Sequence, residues 1–498
     1  MQAKNGVCEE GRLKPGTTLD ERVSRIAYCD LGTDCADCGP WRSTVRHVPW
    51  EDVNAPGPIR FLRSKDVQIR VKPAAVPRDA SFLFAFTTPA KDFGVSHQLE
   101  YFGLLEPALT QAMYLELKAA CAGAGAGGAR RPLVVDVGAN FGWFAILAAR
   151  LGCRVTAYEP VLHYRLLLLY NIHLNDLSSR ITISDKAVSD KAGKVSIVFP
   201  YSGHWGSAGI EGINIDKGAD AATGVEDALA VRLEDEVNED VLLLKLSVEG
   251  YEAAALEGAE RLFRTGSVKH LALAYTPGAA ERWNKFDMML RSPQALASML
   301  QAHGFRAGLL PALEQDAFKG FDQPLPPLQE VTVTNLQYDA EDVRRWKNGT
   351  LGCPLPAALQ KLPAWEQCFS NPESFSPRSL RSVMGHSGRL WLYSAGAAPA
   401  NLTLEGAAGI VDPAAPAETY YATNKQGLGM GGRPCTTTDP KAQVRHRCRC
   451  TDTAVCGAEA DAVEAAAREG SLPQNYVLSP GNSKKPLDGL EAAASMLA

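Results

Sequence analysis

In "PLVVDVGANFGWFAI", residues 132–146, an apolar run closes on Asp136 and breaks into a turn carrying Gly138, Asn140 and Gly142. A turn of this kind, opening a helix, brings backbone N–H groups close to a ligand. A dinucleotide fingerprint reads G-x-G-x-x-G, and its second glycine is absent here because Asn140 stands in that place. No G-K-[ST] follows either, which excludes a P-loop. Asp136 would repel a pyrophosphate, but it suits a ligand bearing an ammonium or sulfonium group. Glu159, 21 residues beyond Gly138, ends the next apolar run, where a carboxylate accepts both ribose hydroxyls of an adenosine. Asp185 ends the third run and is placed to meet an adenine amino group. Acid, glycine turn, ribose acid and adenine acid together describe S-adenosylmethionine rather than NAD.

Methyl transfer to a hydroxyl is an in-line displacement at an activated carbon, so the protein's task is to align the acceptor and exclude water. A base within hydrogen-bond reach removes the hydroxyl proton. "KLSVEGYE" sits where such groups belong, with Lys245, Ser247, Glu249 and Glu252 at or just past a strand end. Lys245 and Glu249 are also spaced to pair with each other. His204, in the glycine-rich stretch "SGHWGSAG", is an alternative base on a loop that could cover the site, with Trp205 beside it to stack on a sugar. His163, Tyr170 and His173 fall on helical spacing and read as packing residues.

The elements that must position these groups alternate. "LVVDVG", "RVTAYEP", "RITISDKAVS", "DVLLLKLSV" and "HLALAY" read as strands, separated by helices at "WFAILAARLG", "LHYRLLLLYNIHLN" and "EAAALEGAERLFRTG". "SPQALASMLQAHG" is a further helix, with "FRAGLL" and "VTVTNLQYD" as two closing strands. Apolar strands alternating with helices predict a parallel sheet covered on both faces, with ligands at the strands' carboxyl ends.

The blocks "VVDVGANFGWFAILAA", "VTAYEP", "NIHLN", "KAVSDKAGKVSI", "VRLEDE" and "LLLKLSVEGYEAAALEGAERLF" resemble, in order and spacing, the FkbM family of methyltransferases over about residues 93–337. The resemblance implies a class I, Rossmann-like α/β fold: a seven-stranded, mostly parallel sheet whose last strand is antiparallel, with helices on both faces. It also implies methyl transfer from S-adenosyl-L-methionine to an oxygen, often of a sugar or glycan. Matching motif positions place Asp136, Gly138, Asn140, Glu159 and Asp185 around the cofactor, with Gly142 closing the turn. The family pattern K-x-D-V-E-G-x-E has an acid where this chain has Ser247, and "AYTPG" presents Thr276 where an acid is common. Losing both means another base serves a different substrate, or the protein is a secreted binding or structural molecule on a degenerate methyltransferase fold.

The chain has 498 residues, 46% hydrophobic and 21% charged, with net charge −5. That length predicts more than one domain, and without a basic stripe no nucleic-acid partner is expected. No apolar window reaches membrane-span length, and Arg165 interrupts the nearest one. Residues 1–45 form a cysteine-rich module, 46–92 a connecting segment, 93–340 the methyltransferase domain and 341–498 a loop-rich, cysteine-containing C-terminal region. Of the 12 cysteines, Cys8, Cys29, Cys35 and Cys38 lie in the first segment and six in the last. Cys121 and Cys153, within the domain, read as small buried hydrophobes. The ending "YCDLGTDCADCGPW" resembles Notch-repeat-like modules, and Asp30, Asp34 and Asp37 there form a possible weak Ca²⁺ site. Clustered cysteines and the sequons at Asn348 and Asn401 favour a glycoprotein of the secretory lumen (Golgi) or the exterior, over a cytoplasmic protein with free thiols. The N-terminus carries no signal-peptide pattern, which a truncated or mis-started beginning accounts for.

Overall fold

In a computed structural model of the chain, the described residues are 24–31, 38, 57–122, 130–213, 223–281, 283, 285–312, 318–348, 375–385 and 387–405. All fall in one compact unit, Met1–Pro416, while a second, Ala417–Ala498, lies outside them.

A three-stranded antiparallel sheet comes first: β1 (Arg25–Ala27), β2 (Ile69–Pro73) and β3 (Leu83–Phe86). Next come β4 (Leu133–Val137), β5 (Arg154–Tyr158) and β6 (Ile181–Ser184), each delivered by the helices Trp143–Arg150 and Leu162–Leu174. A four-stranded excursion of β7 (Ala187–Val188), β8 (Gly193–Pro200), β9 (Gly209–Ile210) and β10 (Thr223–Val231) follows, in the order β7-β10-β8-β9. The chain then returns to the main sheet with β11 (Val241–Leu246), β12 (Val268–Tyr275), β13 (Arg306–Leu309), β14 (Leu328–Val331), β15 (Gly388–Tyr393) and β16 (Leu404–Glu405).

The main sheet runs β16-β14-β13-β15-β12-β11-β4-β5-β6. From β6 to β12 all neighbours are parallel, while β15 is antiparallel to both β12 and β13. Seven strands thus make the class I methyltransferase arrangement, with the antiparallel strand inserted next to the edge, and β14 and β16 extend it. The chain leaves the middle in opposite directions from β4, toward β5 on one side and β11 on the other. Ligand crevices open at the carboxyl ends beside such a reversal.

Every residue of β4 is buried, as a strand covered on both faces requires. Val134, Leu243, Ala272 and Trp391 face the helices Pro107–Cys121 and Trp143–Arg150. Val135, Leu244, Leu271 and Leu392 pack in the opposite layer with Leu256, Leu262 and Leu296.

Several elements differ from the sequence expectation. "RITISDKAVS" is two strands, β6 and β7, in different sheets. "EAAALEGAERLFRTG" is two helices broken near Gly258, where a Cβ would lie 2.0 Å from the Ser189 carbonyl oxygen. "VTVTNLQYD" is not a strand beyond Val331: Val333–Lys347 is a helix, started by Thr332 and Asn335 in a reciprocal capping box. The antiparallel strand β15 comes from "GRLWLY", beyond residue 340 and inside the stretch read as loop-rich, so the sheet draws on both segments. At the other end, β1 pairs with β2 and buries Ala27 and Leu31 in the common core, which ties the first segment to the second.

Candidate functional site

The turn after β4 lies between β5 and β11, and close packing explains its glycines. Gly138 has φ +72°, and a Cβ there would sit 1.9 Å from the Ser247 carbonyl oxygen. Gly142 starts the helix Trp143–Arg150 at φ +95°, where a Cβ would meet Leu168 at 2.3 Å. Asn140 is held at φ +54° without being glycine. Its side-chain oxygen accepts from the Phe141 N–H at 2.8 Å, and its amide donates to the Gly206 carbonyl at 2.6 Å.

Glu159 ends up at this turn, as its place after β5 suggested. One carboxylate oxygen accepts from the Asn140 N–H at 2.8 Å and the other from the Val161 N–H at 2.9 Å. Each oxygen keeps a further lone pair, so ribose hydroxyls and the turn can share the carboxylate. Burial pushes the Glu159 carboxyl up to about 7, against the pull of those two N–H donors. Asp185 lies just past β6 with its side chain exposed. These residues fit an adenosine-bearing cofactor: the backbone turn follows β4, and an acid follows each of the next two strands, β5 and β6.

Asp136 and Lys245 are register partners on adjacent strands, β4 and β11, and both side chains are buried. The Lys245 ammonium lies 3.0 Å from Asp136 Oδ1 and donates to the Gly138 carbonyl at 2.8 Å. It also sits 5.4 Å from the centre of the Phe144 ring. This corrects two expectations. Lys245 pairs with Asp136 rather than Glu249, and the negative charge of Asp136 meets a protein cation instead of standing open for a ligand. The pair holds the turn from beneath.

Ser247 follows β11 and donates its backbone N–H to the Val137 carbonyl at 3.1 Å. Glu249 has φ +49°, in the left-handed region that non-glycine residues rarely visit. Glu252 is buried at the start of the helix Glu252–Glu257. Its oxygens accept from the Gly250 N–H at 2.9 and 3.0 Å and from the Thr276 hydroxyl at 2.7 Å. Thr276, where family members commonly carry an acid, therefore serves an acid supplied two positions after Gly250. Burial raises Glu252 to about 7.

Two site residues escaped the sequence reading. Arg389, on β15, donates twice to Glu106, at 2.6 and 3.0 Å. Burial alone would raise the Glu106 carboxyl, but the Arg389 charge and hydrogen bonds overcome it and hold the group below its ordinary value. With Lys245, Leu246, Ser247 and Ala274 they enclose a cavity of only about 10 Å³. No local signal links Glu106 and Arg389, which lie 283 residues apart. Glu106, Asn140 and Glu249 all hold positive φ at this end of the sheet, and strained backbone of this kind concentrates at functional sites.

The loop 201–208 does reach the turn, through the Asn140 amide on the Gly206 carbonyl. Asp92 anchors it by accepting from the Gly206 N–H at 3.1 Å. His204 is exposed, its ring 6.0 Å from Phe93, and among the described residues no hydrogen bond or ion pair joins it to Lys245, Ser247 or Glu249. Trp205 is buried against Phe141, Tyr164 and His163, so its ring packs in the core rather than facing a sugar. Asp30 accepts from the Ile59 and Arg60 N–H groups, capping the helix Pro58–Ser64, while Asp34 and Asp37 lie outside the described residues. Cys121 and Cys153 are buried as expected, but joined in a disulfide. Cys38 is also disulfide-bonded. Cys8, Cys35 and the six C-terminal cysteines lie outside the described residues. Among the described residues no helix is long and apolar enough to cross a membrane.

The sheet order and the glycine turn define a class I methyltransferase-like α/β fold. More narrowly, residues 136–307 match the family described as the methyltransferase FkbM domain. Among solved structures it is similar to methyltransferase FkbM from Methylobacillus flagellatus KT, at 18% identity and a TM-score of 0.25, over 37% of this chain and 41% of that one. It is also similar to an S-adenosylmethionine-dependent methyltransferase from Agrobacterium tumefaciens, at 12% identity and a TM-score of 0.24, over 45% of this chain and 57% of that one. Both matches span less than two thirds of the other protein. No curated protein matches the chain.

Proposed function

We infer that the protein is an S-adenosylmethionine-dependent methyltransferase acting on a hydroxyl of a sugar or glycan. The observation that carries this reading is the turn 138–142, locked against Ser247 and tied through Asn140 to Glu159 at the end of the next strand. When bound there, S-adenosylmethionine supplies an activated methyl group. Glu159 holds the ribose, Asp185 meets the adenine, and Lys245 with Asp136 keeps the turn in place. Glu252, half-protonated near neutral pH, and the half-buried Glu249 are the carboxylates nearest in sequence to Ser247, and they supply the base that this chain lacks at that position. His204 is a base only if its loop moves.

A location in the secretory lumen or outside the cell is supported by the Cys121–Cys153 disulfide and the exposed Asn348 and Asn401. The second reading, a non-catalytic secreted protein, is supported by Ser247 and Thr276, which stand where the family pattern carries acids. Calorimetry with S-adenosylhomocysteine and a radiolabelled methyl-transfer screen over monosaccharides and glycans separate the two. Binding that Glu159→Ala abolishes, with label transferred to a carbohydrate, supports the enzyme. Folded protein that binds no cofactor refutes it. A gain of activity in Ser247→Asp would point to a degenerate site.

A further inference from the structure

Asp92 lies just before the helix Val95–Phe102, and its side chain is wholly buried. Oδ2 accepts the Ser96 N–H at 2.7 Å and Oδ1 the Gly94 N–H at 3.2 Å, the bonds of an acid at a helix start. A third bond lies outside that role. Oδ1 also accepts the Gly206 N–H at 3.1 Å, from a loop 114 residues further along the chain.

Gly206 is thereby gripped at both ends. Asp92 holds its N–H, and its carbonyl accepts the Asn140 side-chain amide at 2.6 Å. A Cβ on Gly206 would lie 3.0–3.2 Å from the Asp92 carboxylate, so the close fit depends on glycine. The loop is pinned elsewhere too. The Phe93 N–H donates to the Gly203 carbonyl at 2.5 Å, the Ser207 N–H to the His204 carbonyl at 2.8 Å, and the Tyr164 hydroxyl to the Trp205 carbonyl. With the Trp205 ring in the core, residues 203–207 form a fixed wall of the turn rather than a lid.

We propose that Asp92 is a positioning residue of the cofactor site, acting through Gly206 on Asn140. Asn140 stands at φ +54°, and its backbone N–H donates to Glu159 at 2.8 Å. Left-handed backbone in a residue other than glycine persists only where its surroundings fix it, and the Gly206 carbonyl is one such restraint. Fixing the Asn140 side chain fixes that N–H, and with it the carboxylate assigned to the ribose. This role rests on the reading of the turn as the S-adenosylmethionine site. It adds an acid from outside residues 136–307, the stretch that matches the family. Residues just before 93 then belong to the cofactor site instead of merely leading into the domain.

Calorimetry with S-adenosylhomocysteine on the full chain tests this role. Asp92→Ala should weaken binding about tenfold, as expected when one hydrogen bond of the relay is lost. That change also leaves three buried N–H groups unpaired, so Gly206→Ala serves as a milder second variant. It keeps Asp92 but presses a methyl group against a carboxylate that its other bonds hold still, and it should weaken binding at least about threefold with a native circular dichroism spectrum. Asn140→Gly suits the left-handed backbone, keeps the N–H on Glu159 and removes the last member of the relay. In the Asn140→Gly background, Gly206→Ala should weaken binding by less than about twofold, whereas a merely structural effect would multiply. Without any cofactor, the Asn140 side-chain amide resonances, assigned by their loss in Asn140→Gly, should move in Gly206→Ala. The proposal is overturned if folded Asp92→Ala or Gly206→Ala binds like the parent, if the losses multiply, or if those resonances stay in place. A folded parent that binds no S-adenosylhomocysteine refutes the enzyme reading itself, and the role of Asp92 falls with it.

Discussion

Replacing Lys245 by methionine tests whether the glycine turn is held from beneath by a buried ion pair. The substitution keeps the aliphatic stem but removes the ammonium 3.0 Å from Asp136 and its hydrogen bond to the Gly138 carbonyl. Asp136 is wholly buried, and neither of its oxygens has a well-directed hydrogen bond, so nothing else compensates its charge. Breaking such a pair from one side is destabilising by about 3–5 kcal/mol, a large share of the roughly 5–15 kcal/mol that holds a domain together. The double variant Lys245→Met/Asp136→Asn has no charge left to bury and should lie within about 2 kcal/mol of the parent. Urea unfolding followed by tryptophan fluorescence gives both values. A single variant within about 1 kcal/mol of the parent, or a double variant showing the simple sum of the two singles, would refute the reasoning.

Gly138→Ala adds about 1–2 kcal/mol of left-handed backbone strain and a Cβ 1.9 Å from the Ser247 carbonyl. The turn must move, and calorimetry should show S-adenosylhomocysteine binding weakened at least about tenfold. Glu252 is raised by burial from the ordinary carboxylate value to about 7. Its contribution to stability is therefore fully present below about pH 4 and is lost as pH rises through 7. Glu252→Gln should flatten the urea midpoint between pH 4.5 and 8, by up to about 3 kcal/mol of pH dependence, and an unchanged slope would exclude the assignment. The Cys121–Cys153 disulfide spans 32 residues, for which chain entropy gives about 3–4 kcal/mol. Cys121→Ala/Cys153→Ala should unfold at correspondingly lower denaturant, and reducing agent should destabilise the parent more than the variant, which keeps the disulfide of Cys38.

Much of the candidate site could be read along the chain because each part is local. A run of buried apolar residues, an acid at its end and a glycine turn lie within ten positions, and the βα alternation spaces the next acids one unit apart. Asp136, Gly138, Asn140 and Glu159 all meet at the turn for that reason. The local reading erred where two influences compete over a few residues. The Val–Thr alternation after Val331 favours a strand, yet Thr332 and Asn335 cap each other's backbone and Val333–Lys347 packs beside the helix Phe286–Gln301. Tertiary packing and the cap prevail over strand propensity there.

The roles of the charges were decided only in three dimensions. Whether Asp136 meets a ligand or Lys245 depends on the register of β4 against β11, which hydrophobic patterning does not number. The Glu106–Arg389 pair depends on β15 entering between β12 and β13 after a long detour, through a stretch rich in Pro, Gly and Ala that masks its apolar run. The sequence alone thus determines the class of sheet and the turn at its switch point, because both follow from periodicity and local backbone geometry. Which buried charge faces which is settled by strand order and register, because a buried charge takes the nearest opposite charge in space, however distant in sequence.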